Sequence, residues 1–306
     1  MQDAEKTKLS AEYIRPHAKT LRKDLSNNMK LRIKFQKYGP IRFIGHLDVM
    51  RFFQKAIRRA GIDVTYTTGF SPHQIMSFAA PLGVGLTSNG EYMDIQVNSI
   101  PAPQDGLTSC QVLAQKLNDA SVKGLDVISA RILPENAGNA MASVAAASYT
   151  VRFREGREPR FLTNYMSGNS LENTVCQQAT ECVDDIMSTV LTSWLAKNEI
   201  MLTKETKRGS REVNLRPGIY ELTWEDNAFH MLVDASSAGN IKPGQVIEAL
   251  LADHDELLQE NALMITREDV FTVTGEQNDG KIKYISLGEI GSPDAPISAL
   301  EKETKL

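Results

Sequence analysis

Three side chains in this 306-residue sequence have the chemistry of an acid–base set. His46 and His73 carry imidazoles that titrate near neutral pH, and Asp48 stands two residues beyond the first of them. Brought together, they would serve a hydrolase or a transferase. Kept apart, His46 would cap or pack at a helix start and His73 would hydrogen-bond within its own loop. Other catalytic patterns are missing. His17, His46, His73, His230 and His254 are scattered, with no HxxxH or HExxH spacing for a metal. Cys110, Cys176 and Cys182 lie too far apart to form the CxxxCxxC triplet that holds an iron–sulfur cluster. Gly83-Val84-Gly85 does not extend to GxGxxG, because Ser88 takes the place of the last glycine, and no Walker A loop is present. No cofactor or metal is expected, and the sequence favours a non-catalytic protein over an enzyme.

Charge points elsewhere. Residues 1–60 hold 15 of the 34 Lys and Arg but only 5 of the 38 Asp and Glu, a balance of +10 against −14 for the remainder. Segregation on this scale suits an electropositive surface for nucleic acid or an acidic partner, or else belongs partly to a polar leader. In the second half Lys204, Lys207, Arg208, Arg211 and Arg216 fall within thirteen residues, a basic loop able to contact phosphates or merely to keep the surface soluble. There is no apolar run of about 18 residues and no signal-type h-region, so a soluble, cytoplasmic protein without membrane contact is expected.

The elements that would position these residues follow from periodicity. Leu31, Ile33 and Phe35 alternate with Lys30, Arg32 and Lys34, the pattern of a strand with one apolar and one basic face. A helix spans about His46 to Ala60 and ends at Gly61. It turns Val49, Phe52, Phe53, Ala56, Ile57 and Ala60 inward and Arg51, Lys55, Arg58 and Arg59 outward. A short strand at 63–66, a Gly/Pro-rich loop at 69–90, a strand at 91–97, a helix at 106–120 and a strand at 125–133 complete a β-α-β-β-α-β order. The loop has Gly69, Phe70, Pro72 and His73 at its start, with Phe70, Ile75, Met76, Phe78 and Leu82 as apolar anchors. Residues 149–273 repeat the order, with a long helix at 170–197. The expectation is an α+β protein of two tandem ferredoxin-like halves, 30–145 and 146–274. They would be flanked by a polar extension (1–29) and a mobile tail (275–306). Adjacent first and third strands would set Lys30, Arg32 and Lys34 beside Tyr92, Asp94 and Gln96. That face would be an open RNA-binding platform, a solvated face with an Asp94–Arg32 or Asp94–Lys34 pair, or an interface between the halves.

The run from Met29 to Ile95 resembles the opening of the radical-SAM-linked family of unknown function, a bacterial family often fused to or encoded beside a cobalamin-binding radical SAM enzyme. The resemblance rests on Phe43-Ile44-Gly45-His46-Leu47-Asp48, Arg58-Arg59-Ala60-Gly61, Gly69-Phe70-Ser71-Pro72-His73 and Gly90-Glu91-Tyr92-Met93-Asp94. Arg211-Glu212-Val213-Asn214-Leu215-Arg216-Pro217 is similar to a later family element. Gln74-Ile75 departs from the proline and basic residue common there. The family typically begins near Met29, so residues 1–28 read as an extension. The resemblance implies a radical SAM enzyme as partner and assigns no catalytic residue. The function expected is an accessory module for RNA modification. It would bind RNA through Arg32, Lys34, Arg51, Lys55, Arg58, Lys207, Arg208, Arg211 and Arg216, or present substrate to the partner. The alternatives are a protein–protein adaptor and a His-dependent hydrolase or transferase.

Overall fold

The computed structural model describes residues 28–166, 179–206, 209–276 and 282–293. Within them the chain forms a mixed α+β structure built on one large, mostly antiparallel sheet. The first half runs β1 (Met29–Lys37), α1 (His46–Arg59), β2 (Met76–Phe78), β3 (Thr87–Val97), α2 (Ser109–Asp119) and β4 (Val127–Ile132). The second runs β5 (Ala146–Phe153), α3 (Arg160–Met166), α4 (Ala179–Leu195), β6 (Met201–Thr206), β7 (Gly209–Asn214), β8 (Ile219–Glu225), β9 (Ala228–Asp234), α5 (Pro243–Ala252) and β10 (Leu263–Glu276). A final strand, β11 (Ile282–Ser286), follows.

The strand order is β4-β1-β3-β10-β5-β9-β8, with β2 on β3 and β11 on β10. Each half therefore reads fourth, first, third, second across its own part of the sheet. Each buries one sheet face under its helices. In the first half Leu31, Ile33, Phe35, Met93 and Ile95 meet Val49, Phe53 and Ile57 of α1 and Leu113 and Leu117 of α2. In the second, Val151, Phe229, Met231 and Val233 meet Leu191 and Trp194 of α4 and Val246 and Leu250 of α5. Local signals begin and end the helices. Thr108 and Gln111 form a reciprocal capping box at the start of α2. Gly61, at φ +65°, turns the chain out of α1.

The halves join where β10 runs parallel to β3, with Thr266 beside Thr87 and Arg267 beside Ser88. β10 takes the same edge of β3 that β2 occupies further along, at Met93–Ile95. Backbones pass closely here. A Cβ on Gly90 would lie 2.7 Å from the Glu268 carbonyl oxygen and 3.0 Å from Asp269 Cα. No helix among the described residues is long and apolar enough to cross a membrane.

Several elements differ from the sequence expectation. Residues 63–66 make only isolated bridges, Val64 to Val97 and Tyr66 to Gln74, and the strand that pairs with β3 is Met76–Phe78. The 204–216 stretch is not a free loop, since β6 and β7 pair as a separate antiparallel hairpin from Met201–Asn214 inward. Of the long helix expected at 170–197, α4 covers the described part, and α3 precedes it. The tail expected to be mobile is fixed between 282 and 293. β11 pairs with β10, Ser292 bridges to Ile132, and Leu287 is fully buried. The expected polar extension at 1–27 and the tail's end at 294–306 lie outside the described residues.

Gly90→Ala should destabilise the protein by about 1–3 kcal/mol, because the added methyl meets the β10 backbone and the Asp269 carboxylate, which is itself held by Lys34 and Tyr92. Urea unfolding compares the two, and an unchanged midpoint would show that the joint is not tight.

Candidate functional site

Alternation along β1 and β3 places Lys30 opposite Gln96, Arg32 opposite Asp94 and Lys34 opposite Tyr92, as the strand pattern implies. The face they share is covered. Arg32 donates to both Asp94 carboxylate oxygens, at 2.8 and 3.0 Å, with each residue 3% exposed. Lys30 donates to the Ala137 and Gly138 carbonyls, and Lys34 Nζ lies 3.0 Å from Asp269 of β10. Tyr92 is buried, with its hydroxyl bonded to Asp269 and 3.0 Å from Ser286. Burial, and then the Asp269 charge, push its phenol well above the ordinary tyrosine range. The covering groups come from the connection between the halves and from 282–293, where Tyr92, Ala140, Val144, Val270 and Leu287 form a small core. Arg32 and Tyr92 are thus withdrawn from any ligand at the surface, and Lys34, partly exposed, is paired with Asp269, which corrects the open-platform expectation. A buried charge left in place is held by partners, and here the partners span the joint.

The helix-bearing side of the joint is charged as well. Glu91 sits between Lys37 Nζ at 3.9 Å and Arg267 Nη2 at 3.4 Å, with all three buried, and Arg267 also donates to the Ala80 carbonyl. Two cations share one carboxylate. Burial lowers the Lys37 ammonium from its ordinary 10.5, more strongly than the attraction of Glu91 raises it. Sequence reading did not single out Lys37 or Arg267, and it named Glu91 only within the Gly90-Glu91-Tyr92-Met93-Asp94 stretch. Their one signal is a lysine at the apolar-facing end of β1.

The acid–base set is not assembled. His46 packs edge-on against Phe78, with ring centroids 4.8 Å apart. Asp48 pairs on the surface with Arg51 at 3.2 Å. His73 shares a hydrogen bond with the Thr67 hydroxyl in its own hairpin. These partners keep the three apart, and the described residues contain no group of three or more His, Cys, Asp or Glu placed to hold a metal.

What remains open is the outer side of α1. Arg51, Lys55 and Arg58 are exposed along it, and Asp48 is the acid paired there. Against its C-terminal half lies a hairpin running from Val64 to Phe78. The Gln54 carbonyl accepts from both Gln74 Nε2, at 3.1 Å, and Arg58 Nε, at 3.3 Å, so the hairpin base and the cation stripe meet at one atom. The hairpin tip carries Gly69, Phe70, Ser71 and Pro72 into solvent. Phe70 is fully exposed, not the buried anchor expected, whereas Phe78 and Leu82 are buried as the pattern implied. At the other end of α1, Phe43, Leu47 and Val84 are each about 60% exposed. A bond from Gly85 N to the Arg42 carbonyl brings the two loops together there.

The second-half cations separate. Arg216 is structural. It donates to the Leu195 carbonyl at the end of α4 and to the Ile219 carbonyl at the start of β8. Arg211 is exposed on β7. Lys207 and Arg208 lie outside the described residues.

The family described as "Uncharacterized protein conserved in bacteria (DUF2344)" matches residues 30–243. The chain belongs to this family. No curated protein matches it. The stretches that carried the family resemblance have structural duties in this DUF2344 chain. Gly90 allows the close passage of β10, Glu91 to Asp94 supply the charges at the joint, and Asn214 accepts from the Ile200 and Arg216 amides. The matched span includes all of the first half, whereas β10 and β11 lie beyond it.

Lys37→Met should raise stability at neutral pH, since it leaves one cation facing one carboxylate. The unfolded lysine keeps its proton to about pH 10.4. Between the lowered folded value and that one, unfolding takes up a proton, so wild-type stability rises with pH across this window. The gap between variant and wild type should therefore narrow as pH rises from the lowered folded value toward that of the unfolded lysine in chemical unfolding. A gap independent of pH would contradict the buried-charge account.

Proposed function

We propose that this DUF2344 protein is a non-catalytic accessory module of two ferredoxin-like halves that binds RNA and presents it to a radical SAM enzyme. The observation that carries the reading is the partition of its cations. Those on β1 are neutralised at the joint, whereas Arg51, Lys55 and Arg58 stand together in solvent on α1 with one neighbouring acid. Such a stripe attracts a polyanion chiefly by releasing its counterions, which makes binding steeply salt-dependent. The tandem strand order, fourth-first-third-second in each half, is the basis for calling both halves ferredoxin-like.

A protein–protein adaptor is the second reading, favoured by Phe43, Leu47 and Val84, which leave an apolar area exposed at the N-terminal end of α1. Co-purification of a radical SAM enzyme that survives nuclease, with no RNA retained, would support it over RNA binding.

RNA binding is tested with a single-stranded oligoribonucleotide titrated at several salt concentrations. Replacing Arg51, Lys55 and Arg58 together by Ala should reduce the slope of log affinity against log salt by about 2, because each phosphate that a cation neutralises on a single strand adds about 0.7 to that slope. Absence of binding by the wild type at low salt, or an unchanged slope in the variant, would remove the proposal.

A further inference from the structure

Among the described residues Phe70 is the large apolar side chain most fully given to water, and its surroundings show that this is not slack in the chain. The hairpin beneath it is tied rung by rung. Thr67 N donates to the His73 carbonyl at 2.8 Å, His73 N donates to the Thr67 hydroxyl at 3.1 Å, and Ile75 N donates to the Thr65 carbonyl at 2.9 Å. His73 Nδ1 adds a second contact to the same hydroxyl at 3.1 Å. Gly69, at φ +127°, takes a turn that a side chain would oppose, and Pro72 fixes the return. Tyr66, nearly half exposed, closes the base of the hairpin opposite Gln74, which is itself bound to the Gln54 carbonyl beside Arg58. A pre-set aromatic thus stands on a short stem whose root touches the cation stripe. By strand rise, the four steps from Tyr66 to Phe70 put the Phe70 Cα within about 13 Å of the Tyr66 Cα.

We infer that Phe70 is a base-stacking platform, and that the RNA bound by this surface is single-stranded where it crosses the hairpin tip. The inference rests on the RNA-binding reading above and specifies the state of the strand. A hairpin backbone ordered before binding gives up little freedom when a base stacks on the ring at its tip. Stacking on aromatic side chains beside a basic track is how proteins hold single strands without reading sequence. A base paired within a duplex does not offer its face. Charge complementarity selects this occupant over an apolar one, because Arg58 meets the root of the stem at the Gln54 carbonyl, Arg51 and Lys55 continue the exposed stripe along α1, and a polyanion satisfies them.

The test uses the full chain and Phe70→Ala and Phe70→Trp variants. Binding is measured to a mixed-sequence single-stranded oligoribonucleotide and to its duplex form. Trp194 and Trp224 are buried, so emission that responds to ligand in Phe70→Trp reports position 70. The single strand should quench that emission with the same midpoint as binding. Phe70→Ala should bind the single strand about tenfold more weakly, the scale of one base stack, and change little toward the duplex. Equal single-strand binding by wild type and Phe70→Ala would overturn the stacking role while the salt-dependent helix stripe still stood. Loss of all RNA binding on neutralising α1, with Phe70→Ala unaffected, would do the same. A blue shift of Phe70→Trp on phosphatidylserine vesicles, without quenching by RNA, would reassign the tip to a lipid surface. Loss of a co-purifying radical SAM enzyme in Phe70→Ala, with RNA affinity intact, would reassign it to a protein partner.

Discussion

The contact between β3 and β10 governs how charge is distributed over this protein. Ladder hydrogen bonds alone would join two sheets, but here the joint is lined on both sides by ionised groups. Asp269 of β10 holds Lys34 and Tyr92 of the first half on the outer side, and Arg267 meets Glu91 and Lys37 on the helix side. A third pair, Arg32–Asp94, is buried next to these. Removing one partner from a buried pair such as Arg32–Asp94 costs about 3–5 kcal/mol, because the charge left behind is cut off from water. The halves are therefore coupled by groups that cannot be exposed singly, and Gly90 provides the backbone clearance that lets them meet.

This use of charge decides what is left for function. The basic face of β1 looks in one dimension like a binding surface, yet Arg32 is taken up by Asp94 of β3, Lys30 by the Ala137 and Gly138 carbonyls, and Lys34 by Asp269 of β10. The α1 cations face outward because the helix buries its opposite side against β1 and β3, which leaves the stripe in solvent. Arg216 does scaffold duty in the second half, where its guanidinium ties the end of α4 to β8. Exposure, rather than the number of basic residues, separates the candidate site from the scaffold.

Much of this is legible locally. The period-2 pattern yields β1 and β3 and even their cross-strand partners, because side-chain alternation and antiparallel register are short-range properties. The buried stripe of α1 and its glycine stop are equally readable. The covering of the first-half face is not, since the groups over it arrive from 133–145 and from 282–293, more than a hundred residues along the chain for Lys30 and nearly two hundred for Tyr92. The strand pairing with β3 lies about a dozen residues beyond the expected one, because Val64 and Tyr66 alternate as a strand does but bridge only singly. Hydrophobicity alone makes Phe70 an anchor, yet it says nothing about which way a hairpin tip points. Gln74, whose amide fixes the hairpin to α1, carries no signal beyond its departure from the family pattern.

The central claim is that strand cations are taken up inside the structure while helix cations meet the ligand. Amine-specific labelling of the native protein, with and without single-stranded oligoribonucleotide, separates the two groups in one experiment. Lys55 should label readily and be shielded by RNA, whereas Lys37 should label only in denaturant. Native labelling of Lys37 at the rate of Lys55, or RNA shielding of Lys34 in place of Lys55, would contradict the account.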